Sequence, residues 1–124
     1  MSSDSTTDLD QRQKDLIEYI RSGRILDAMR EFYAPDTVMI EGNGTATRGL
    51  EANLAREQLF LESVKDWKGF EATAVGRGDG VTFLEAVLEY TSVEDQEVRL
   101  EQVSVQHWRD GRIVQERFYY DTGG

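Results

Sequence analysis

One carboxylate near the C-terminal end of the chain lies in an otherwise apolar pattern. Glu116 stands between Val114 and Phe118 at alternate positions of a segment typical of a strand. Because alternate residues of a strand point to the same face, these three side chains are expected on one buried face. Burial disfavours the ionised carboxylate and raises its pKa, which suits Glu116 for general acid or base catalysis. The structural alternative is a buried ion pair with Arg48 or Arg56.

Uncharged polar residues repeat along the preceding strand-like segment. Gln102, Ser104 and Gln106 occupy every second position, so they are expected to line one wall beside Glu116. Such groups suit a pocket that is otherwise apolar, where they would orient a ligand. The alternative is that they bond only to one another or to water. The predicted ligand-binding residues are these three together with four aromatic side chains: Tyr33, Tyr90, Trp108 and Tyr120.

Three further residues are secondary candidates. Glu41 follows a short strand-like segment and has the opposite parity to Val38 and Ile40, which predicts a position at the rim of the pocket. His107 is the only histidine, and its parity predicts the face away from the pocket. Asp121 closes the last predicted strand, also with the parity of the outer face.

The remaining pattern predicts the elements that place these residues. Helical spacing of apolar residues covers 9–23, 25–33 and 50–67, and Pro35 ends the second helix. Strand-like segments cover 37–41, 70–75, 81–92, 97–109 and 112–121, and Asp110-Gly111 is a hairpin signal between the last two. The order α-α-β-α-β-β-β-β predicts an α+β domain, an antiparallel sheet with its helices gathered on one side.

Composition excludes several classes of function. The 124 residues fit one domain, expected over 9–124 after a disordered segment at 1–8 that is rich in Ser, Thr and Asp. With no cysteine and one histidine, thiolate sites and paired imidazoles are excluded, and neither metal nor cofactor is expected. A net charge of −10 disfavours nucleic-acid binding. No run approaches the ~20 apolar residues that span a bilayer, and no targeting segment is recognised, so we expect a cytoplasmic protein without membrane contact.

Four segments together are similar to a known family. They are FYAPDTV at 32–38, RG at 48–49, HWRDGRIV at 107–114 and ERFYYD at 116–121. Over residues 9–121 the chain resembles the SnoaL-like family of the nuclear transport factor 2-like superfamily, whose fold is shared with ketosteroid isomerase. The resemblance implies a cone, an α+β roll in which a curved antiparallel or mixed sheet wraps around helices. Because this fold supports isomerases, cyclases, hydrolases and binding domains, it implies a pocket rather than one reaction.

The resemblance also indicates which residues of this chain stand at the catalytic positions of related enzymes. The general-base position of ketosteroid isomerase falls on Ile40, or on Glu41 if the register slips by one residue. Its oxyanion-hole aspartic acid falls on Ser104, so neither position carries that enzyme's acid. For the histidine and aspartic acid that do acid–base work in SnoaL-type cyclases, the candidates in this chain are His107 and Asp121, both with the parity of the outer face.

The sequence therefore predicts a protein that binds a small apolar molecule in the cone. Acid–base chemistry of the isomerase, cyclase or hydrolase type through Glu116 is one use of such a pocket. Non-catalytic ligand binding or dimerisation is the alternative. A homodimer is predicted through the outer face of the long strands, where Val103, Val105, His107 and Tyr119 form an apolar centre rimmed by charge.

Overall fold

The computed structural model describes the backbone of residues 3–120 and the side chains of residues 9–120. Its helices are α1 (Ser3–Arg21), α2 (Ile25–Phe32) and α3 (Leu50–Glu62). Its strands are β1 (Tyr33–Ile40), β2 (Ala46–Arg48), β3 (Val64–Gly78), β4 (Val81–Ser92), β5 (Glu97–Arg109) and β6 (Arg112–Tyr119). The expected disorder at 1–8 falls where no side chains are described, so it stays a prediction.

The six strands form one mixed sheet in the order β2-β1-β6-β5-β4-β3. Strands β3 to β6 are successive antiparallel neighbours, as their short connections favour. Strand β1 instead runs parallel to β6, a long-range pairing that no local pattern in the sequence indicates. With three helices and one open mixed sheet, the chain has the predicted α+β cone fold.

Several element boundaries agree with the sequence pattern and several do not. Strands β4 and β5 have the predicted bounds. Asp110 and Gly111 form the predicted hairpin turn between β5 and β6, with positive φ values of 54° and 79°. Helix α3 is shorter than predicted, because the chain leaves it after Glu62 and enters a β3 of 15 residues. Strand β2 was not predicted: it has three residues, too few for a periodic pattern.

The face assignments of two strands need correction. In β1 the buried positions are Thr37 and Met39, so Glu41 continues the inner face, contrary to its predicted parity. In β6 one extra residue opposes β5, because Trp108 pairs with Ile113 whereas Gln106 pairs with Glu116. This β-bulge gives the buried position to Ile113 rather than to Val114.

The buried apolar side chains form two clusters on the inner face of the sheet. The first joins α1 and α2 to β1 and β6, with Leu16, Phe32, Tyr33 and Ile113 among its members. The second joins Ile17 of α1 to β3 and β4. Ile20 contacts both clusters, so the two cores meet beneath the end of α1. Among the described residues, no helix combines the length and the apolar character needed to cross a membrane.

Candidate functional site

A cavity of about 350 Å³ lies where the two core clusters meet, between the inner face of the sheet and the three helices. That volume is at the lower end of the range for small-molecule sites. Its walls are mostly apolar and aromatic, and polar side chains enter from β5, β6 and α3. The lining residues are Ile20, Ile25, Tyr33, Met39, Glu41, Asn53, Arg56, Glu57, Phe60, Trp67, Phe70, Leu84, Leu88, Leu100, Gln102, Ser104, Gln106, Glu116, Phe118 and Tyr120.

Glu116 lies in the buried part of this cavity, where only 3% of its surface is exposed. The bulge in β6 turns its side chain inward, and the β5–β6 register places it directly opposite Gln106. Gln106 Nε2 donates to Glu116 Oε2 over 2.8 Å, and the Tyr33 hydroxyl donates to Oε1. Both carboxyl oxygens therefore have a neutral hydrogen-bond donor.

A second layer of hydrogen bonds orients Gln106. The Trp108 indole Nε1, which can only donate, donates to Thr82 Oγ1 over 2.8 Å. The Thr82 hydroxyl in turn donates to Gln106 Oε1 over 2.7 Å. Because its amide oxygen is occupied by Thr82, Gln106 presents its NH₂ group to Glu116. A chain of buried polar groups thus holds the carboxyl group in one orientation.

Burial has a large effect on the protonation of this carboxyl group. Desolvation raises the pKa of Glu116 to about 7, although the hydrogen bonds from Tyr33 and Gln106 act to lower it. Desolvation and the neighbouring Glu116 charge raise the pKa of Tyr33 well above its usual value, so the phenol stays protonated. Among the described residues Glu116 has no arginine partner, because Arg56 pairs with Glu41 instead. The alternative prediction, a buried ion pair between Glu116 and Arg48 or Arg56, is therefore wrong for the described residues.

A second carboxylate, Glu57, lines the cavity from α3 and was missed by the sequence analysis. Desolvation, followed by the charge of Glu116, raises its pKa to about 7. Within the described residues it makes no side-chain hydrogen bond or ion pair. The inward face of α3 carries Asn53, Glu57 and Phe60, positions separated by four and three residues. That spacing could have predicted that the three residues share one face. The leucines of this helix instead predicted a different buried face.

Glu41 and Tyr120 lie toward the exposed end of the cavity. Arg56 Nη1 donates to Glu41 Oε2 over 2.8 Å, and the Tyr120 hydroxyl donates to Glu41 Oε1 over 3.2 Å. The Arg56 side chain is 47% exposed and that of Glu41 is 24% exposed. Gly42 makes the position of Tyr120 possible, because a Cβ at residue 42 would lie 2.9 Å from the tyrosine ring. The backbone at Gly42 thus forms part of the surface against which that ring packs.

The structure brings most of the predicted site residues together. Besides Glu116, the cavity is lined by five of the seven predicted ligand-binding residues and by the secondary candidate Glu41: Tyr33, Glu41, Gln102, Ser104, Gln106 and Tyr120. Ser104 is almost fully buried there.

Tyr90 and Trp108 do not line the cavity. Tyr90 and Phe60 pack in an edge-to-face arrangement with ring centroids 5.3 Å apart. Trp108 lies in the first core cluster and donates a hydrogen bond to Thr82. His107 is exposed on the outer face of the sheet, as its parity predicts. Asp121 lies outside the described residues. Among residues that the structure does describe, no group of three or more His, Cys, Asp or Glu could hold a metal ion.

Solved structures share this fold at low sequence identity. A Mesorhizobium loti protein, provisionally named a SnoaL-like polyketide cyclase, matches with a TM-score of 0.80 at 22% identity over 90% of this chain and 98% of that chain. A nuclear transport factor 2-like protein of unknown function from Burkholderia pseudomallei matches with a TM-score of 0.78 at 18% identity over 91% and 90%. A Catenulispora acidiphila protein with a ketosteroid isomerase-like fold, solved in complex with trimethylamine, matches with a TM-score of 0.69 at 15% identity over 78% and 75%.

The sequence itself also matches a family model, although no curated protein matches it significantly. The model is that of the SnoaL-like domain, and it matches residues 14–116. This range runs from the second half of α1 to Glu116 and includes every other described helix and strand in full, except for the last three residues of β6. The chain belongs to the SnoaL-like domain family.

Proposed function

We propose that the cavity binds a small, largely apolar molecule and that Glu116 transfers a proton to or from it. The observation that carries this proposal is a carboxyl group buried in a cavity of about 350 Å³, hydrogen-bonded by neutral donors and without a cationic partner among the described residues. A structural carboxylate that is this buried would ordinarily be paired with a cation.

The environment of Glu116 suits proton transfer near neutral pH. With a pKa raised to about 7 by burial, the group is present as both acid and base at that pH. The bonds from Tyr33 and Gln106 use one lone pair on each oxygen, and each oxygen of a carboxylate has two. The Ser104 hydroxyl is a third donor to this carboxylate, so one lone pair remains for a proton of the ligand, while the carboxyl plane is held still. Such a group can remove a proton from a carbon next to a carbonyl group, or it can activate a water molecule.

The comparisons support a small-molecule function of this kind. The Mesorhizobium protein of the same fold has a cyclase name, and the Catenulispora protein was solved with a small amine. Cyclisation and isomerisation through an enol or enolate begin with proton transfer at carbon, which a positioned carboxylate can perform.

Non-catalytic binding is a second candidate, and one observation favours it. Both oxygens of Glu116 already accept a hydrogen bond, as in a site that uses a carboxylate to orient a ligand rather than to react with it. In that case Glu116 would recognise a donor group on the ligand and turnover would be absent.

Exchange of carbon-bound hydrogen with solvent tests the catalytic proposal without knowledge of the product. A panel of small ketones, conjugated enones and imines in D₂O would be followed by proton NMR, with wild type, Glu116→Gln and Glu62→Gln. Glu62 is an exposed residue of α3 outside the cavity, so its variant is the matched control. We expect exchange with wild type and Glu62→Gln and its loss with Glu116→Gln. Exchange that persists in Glu116→Gln, or binding without exchange in wild type, would contradict catalysis by Glu116.

We also propose that two copies associate through the outer face of the sheet. Tyr119 is 50% exposed there and Phe83 is 40% exposed, beside the partly exposed Val103 and Val105. An apolar area of this kind, surrounded by charged side chains, is typical of an association surface.

A further inference from the structure

We propose that the ligand of the cavity is an organic cation, a small molecule whose apolar body carries an amine, iminium or quaternary ammonium group. This inference rests on the proposed small-molecule function of the cavity and names the class of its ligand. It follows from the charges of the lining and from the nature of the walls.

Negative charge predominates in the cavity. Three carboxylates enter it from three different parts of the fold: Glu41 after β1, Glu57 from α3 and Glu116 from β6. Of the residues described, Arg56 is the one cationic side chain in the lining, and Glu41 pairs with it at 2.8 Å. Glu57 and Glu116 therefore have no cation paired with them among the described residues. A ligand with a carboxylate or phosphate would be repelled, whereas a cation would supply the missing charge.

The walls favour an alkylated cation over a strongly hydrated one. The face of an aromatic ring attracts a cation within about 6 Å, most strongly where water is excluded. A quaternary or substituted ammonium group also presents methyl or methylene groups that fit apolar walls. Six aromatic side chains line the cavity: Tyr33, Phe60, Trp67, Phe70, Phe118 and Tyr120. Carboxylates between aromatic walls form a site that matches such a ligand in both charge and surface.

A cationic ligand also agrees with a proton transfer to Glu116. When a carboxylate removes a proton from the carbon beside a protonated imine, the C–H electron pair forms a C=C bond. The π pair of the C=N bond returns to nitrogen, and the product is a neutral enamine with Glu116 protonated. No negative charge develops on the ligand, so nothing is added to the charge of Glu57. The same step on a neutral ketone would create an oxyanion beside two carboxyl groups.

Binding of a cation should also release protons from the site. Burial raises the pKa of Glu57 and of Glu116 to about 7, and the charge of Glu116 contributes to the shift of Glu57. A positive charge between them would lower both pKa values. Affinity for a permanent cation is therefore expected to rise from pH 6 to pH 8, whereas affinity for a neutral molecule of the same shape should not.

Pairs of ligands that differ only in charge test the inference. Phenyltrimethylammonium would be compared with tert-butylbenzene, and choline with 3,3-dimethylbutan-1-ol, since each neutral compound has carbon in place of the charged nitrogen. Affinities would be measured by titration calorimetry and ligand-observed NMR at pH 6 and pH 8. Titrations in phosphate and in Tris would give the number of protons released. We expect the cation of each pair to bind about ten-fold tighter or more at pH 8, with proton release.

Variants assign the preference to the carboxylates. Glu57→Gln and Glu116→Gln should each reduce the preference for the cation and the proton release, while Glu62→Gln on the same helix should leave both unchanged. If the neutral compounds bind as tightly as the cations in wild type, the inference is overturned and the proposed pocket function stands. If no compound of either pair binds, the proposed pocket function itself is overturned, and this inference with it.

Discussion

Gln106 of β5 and Glu116 of β6 face each other directly across the β5–β6 hairpin, and the glutamine Nε2 donates to the glutamate Oε2 over 2.8 Å. This pairing depends on the bulge between Ile113 and Gln115. Without the extra residue, the pairs Arg109–Arg112 and Trp108–Ile113 would continue with Gln115 opposite Gln106, and the bulge places Glu116 there instead. The position of the candidate proton acceptor thus depends on one extra residue in a strand.

Stability should depend on pH through Glu116. Its pKa rises from 4.5 in an exposed chain to about 7 in the folded protein, so between these pH values the folded state holds a proton that the unfolded state has released. The resulting stabilisation is full below about pH 4.5 and is lost as pH rises through about 7. Glu116→Gln imitates the protonated form and can keep both hydrogen bonds, with its NH₂ group donating to Tyr33.

We expect the free energy of unfolding of wild type to fall relative to that of Glu116→Gln by up to about 3 kcal/mol between pH 5 and pH 8. Urea unfolding at four pH values measures this difference, with Glu62→Gln as the control for the loss of one charge. Parallel curves for wild type and Glu116→Gln would show that the carboxyl group is ionised throughout this range. A uniform destabilisation of Glu116→Gln would instead indicate a cationic partner.

Thr82→Val should change the pKa of Glu116 indirectly, because Thr82 bonds to Gln106 and Gln106 bonds to Glu116. The valine has nearly the same shape, but it leaves the Trp108 indole N–H and the Gln106 amide oxygen without their partner. We expect a loss of roughly 2 kcal/mol or more of stability. We also expect a further rise in the pKa of Glu116, because Gln106 would be free to turn its NH₂ group away. Carboxyl carbon-13 NMR measures that pKa.

Thr73→Val is the matched control for this change, since Thr73 belongs to the same sheet but is exposed and bonds only to Glu85. It should leave the pKa of Glu116 unchanged. If Thr82→Val shifts stability but not that pKa, then Thr82 serves the core and does not position the site.

Gly42→Ala should displace Tyr120 from the exposed end of the cavity. The new Cβ would lie 2.9 Å from the tyrosine ring, closer than van der Waals contact permits. The ring must move, and its hydroxyl then loses the hydrogen bond to Glu41. Shifts of the Tyr120 ring resonances and weaker ligand binding are the expected results. Gly69→Ala is the control, because no atom lies within 4 Å of a Cβ there. Unchanged Tyr120 resonances in Gly42→Ala would show that the Tyr120 ring does not pack against Gly42.

Val105→Glu should convert a dimer into a monomer. It adds a carboxylate to the centre of the outer face, beside the exposed ring of Tyr119. Sedimentation at micromolar concentration would give a dimer for wild type and a monomer for the variant. Val93→Glu is the matched control, because Val93 is 57% exposed in the β4–β5 turn, away from that face. A wild type that sediments as a monomer would end the dimer proposal.

The sequence alone determined the family, the long strands and the residues of one wall of the cavity. Alternation with period two is a local property, so Gln102, Ser104 and Gln106 could be assigned to one face before any partner strand was known. The Asp110-Gly111 turn then predicted the β5–β6 hairpin, and the bulge in β6 sets the final register that pairs Gln106 with Glu116.

Only the tertiary structure decided which other groups complete the site. The parallel pairing of β1 with β6 brings Tyr33 to Glu116 across 83 residues of chain, and no local pattern encodes such a contact. In β1 the buried positions have the opposite parity to the predicted ones, and in β6 the bulge buries Ile113 in place of Val114 while Glu116 keeps its predicted face. Glu57 enters the cavity because α3 turns the face that carries Asn53, Glu57 and Phe60 toward it, whereas Leu59 is 68% exposed. Register shifts and helix orientation arise from packing over the whole chain, so a residue-by-residue pattern cannot determine them.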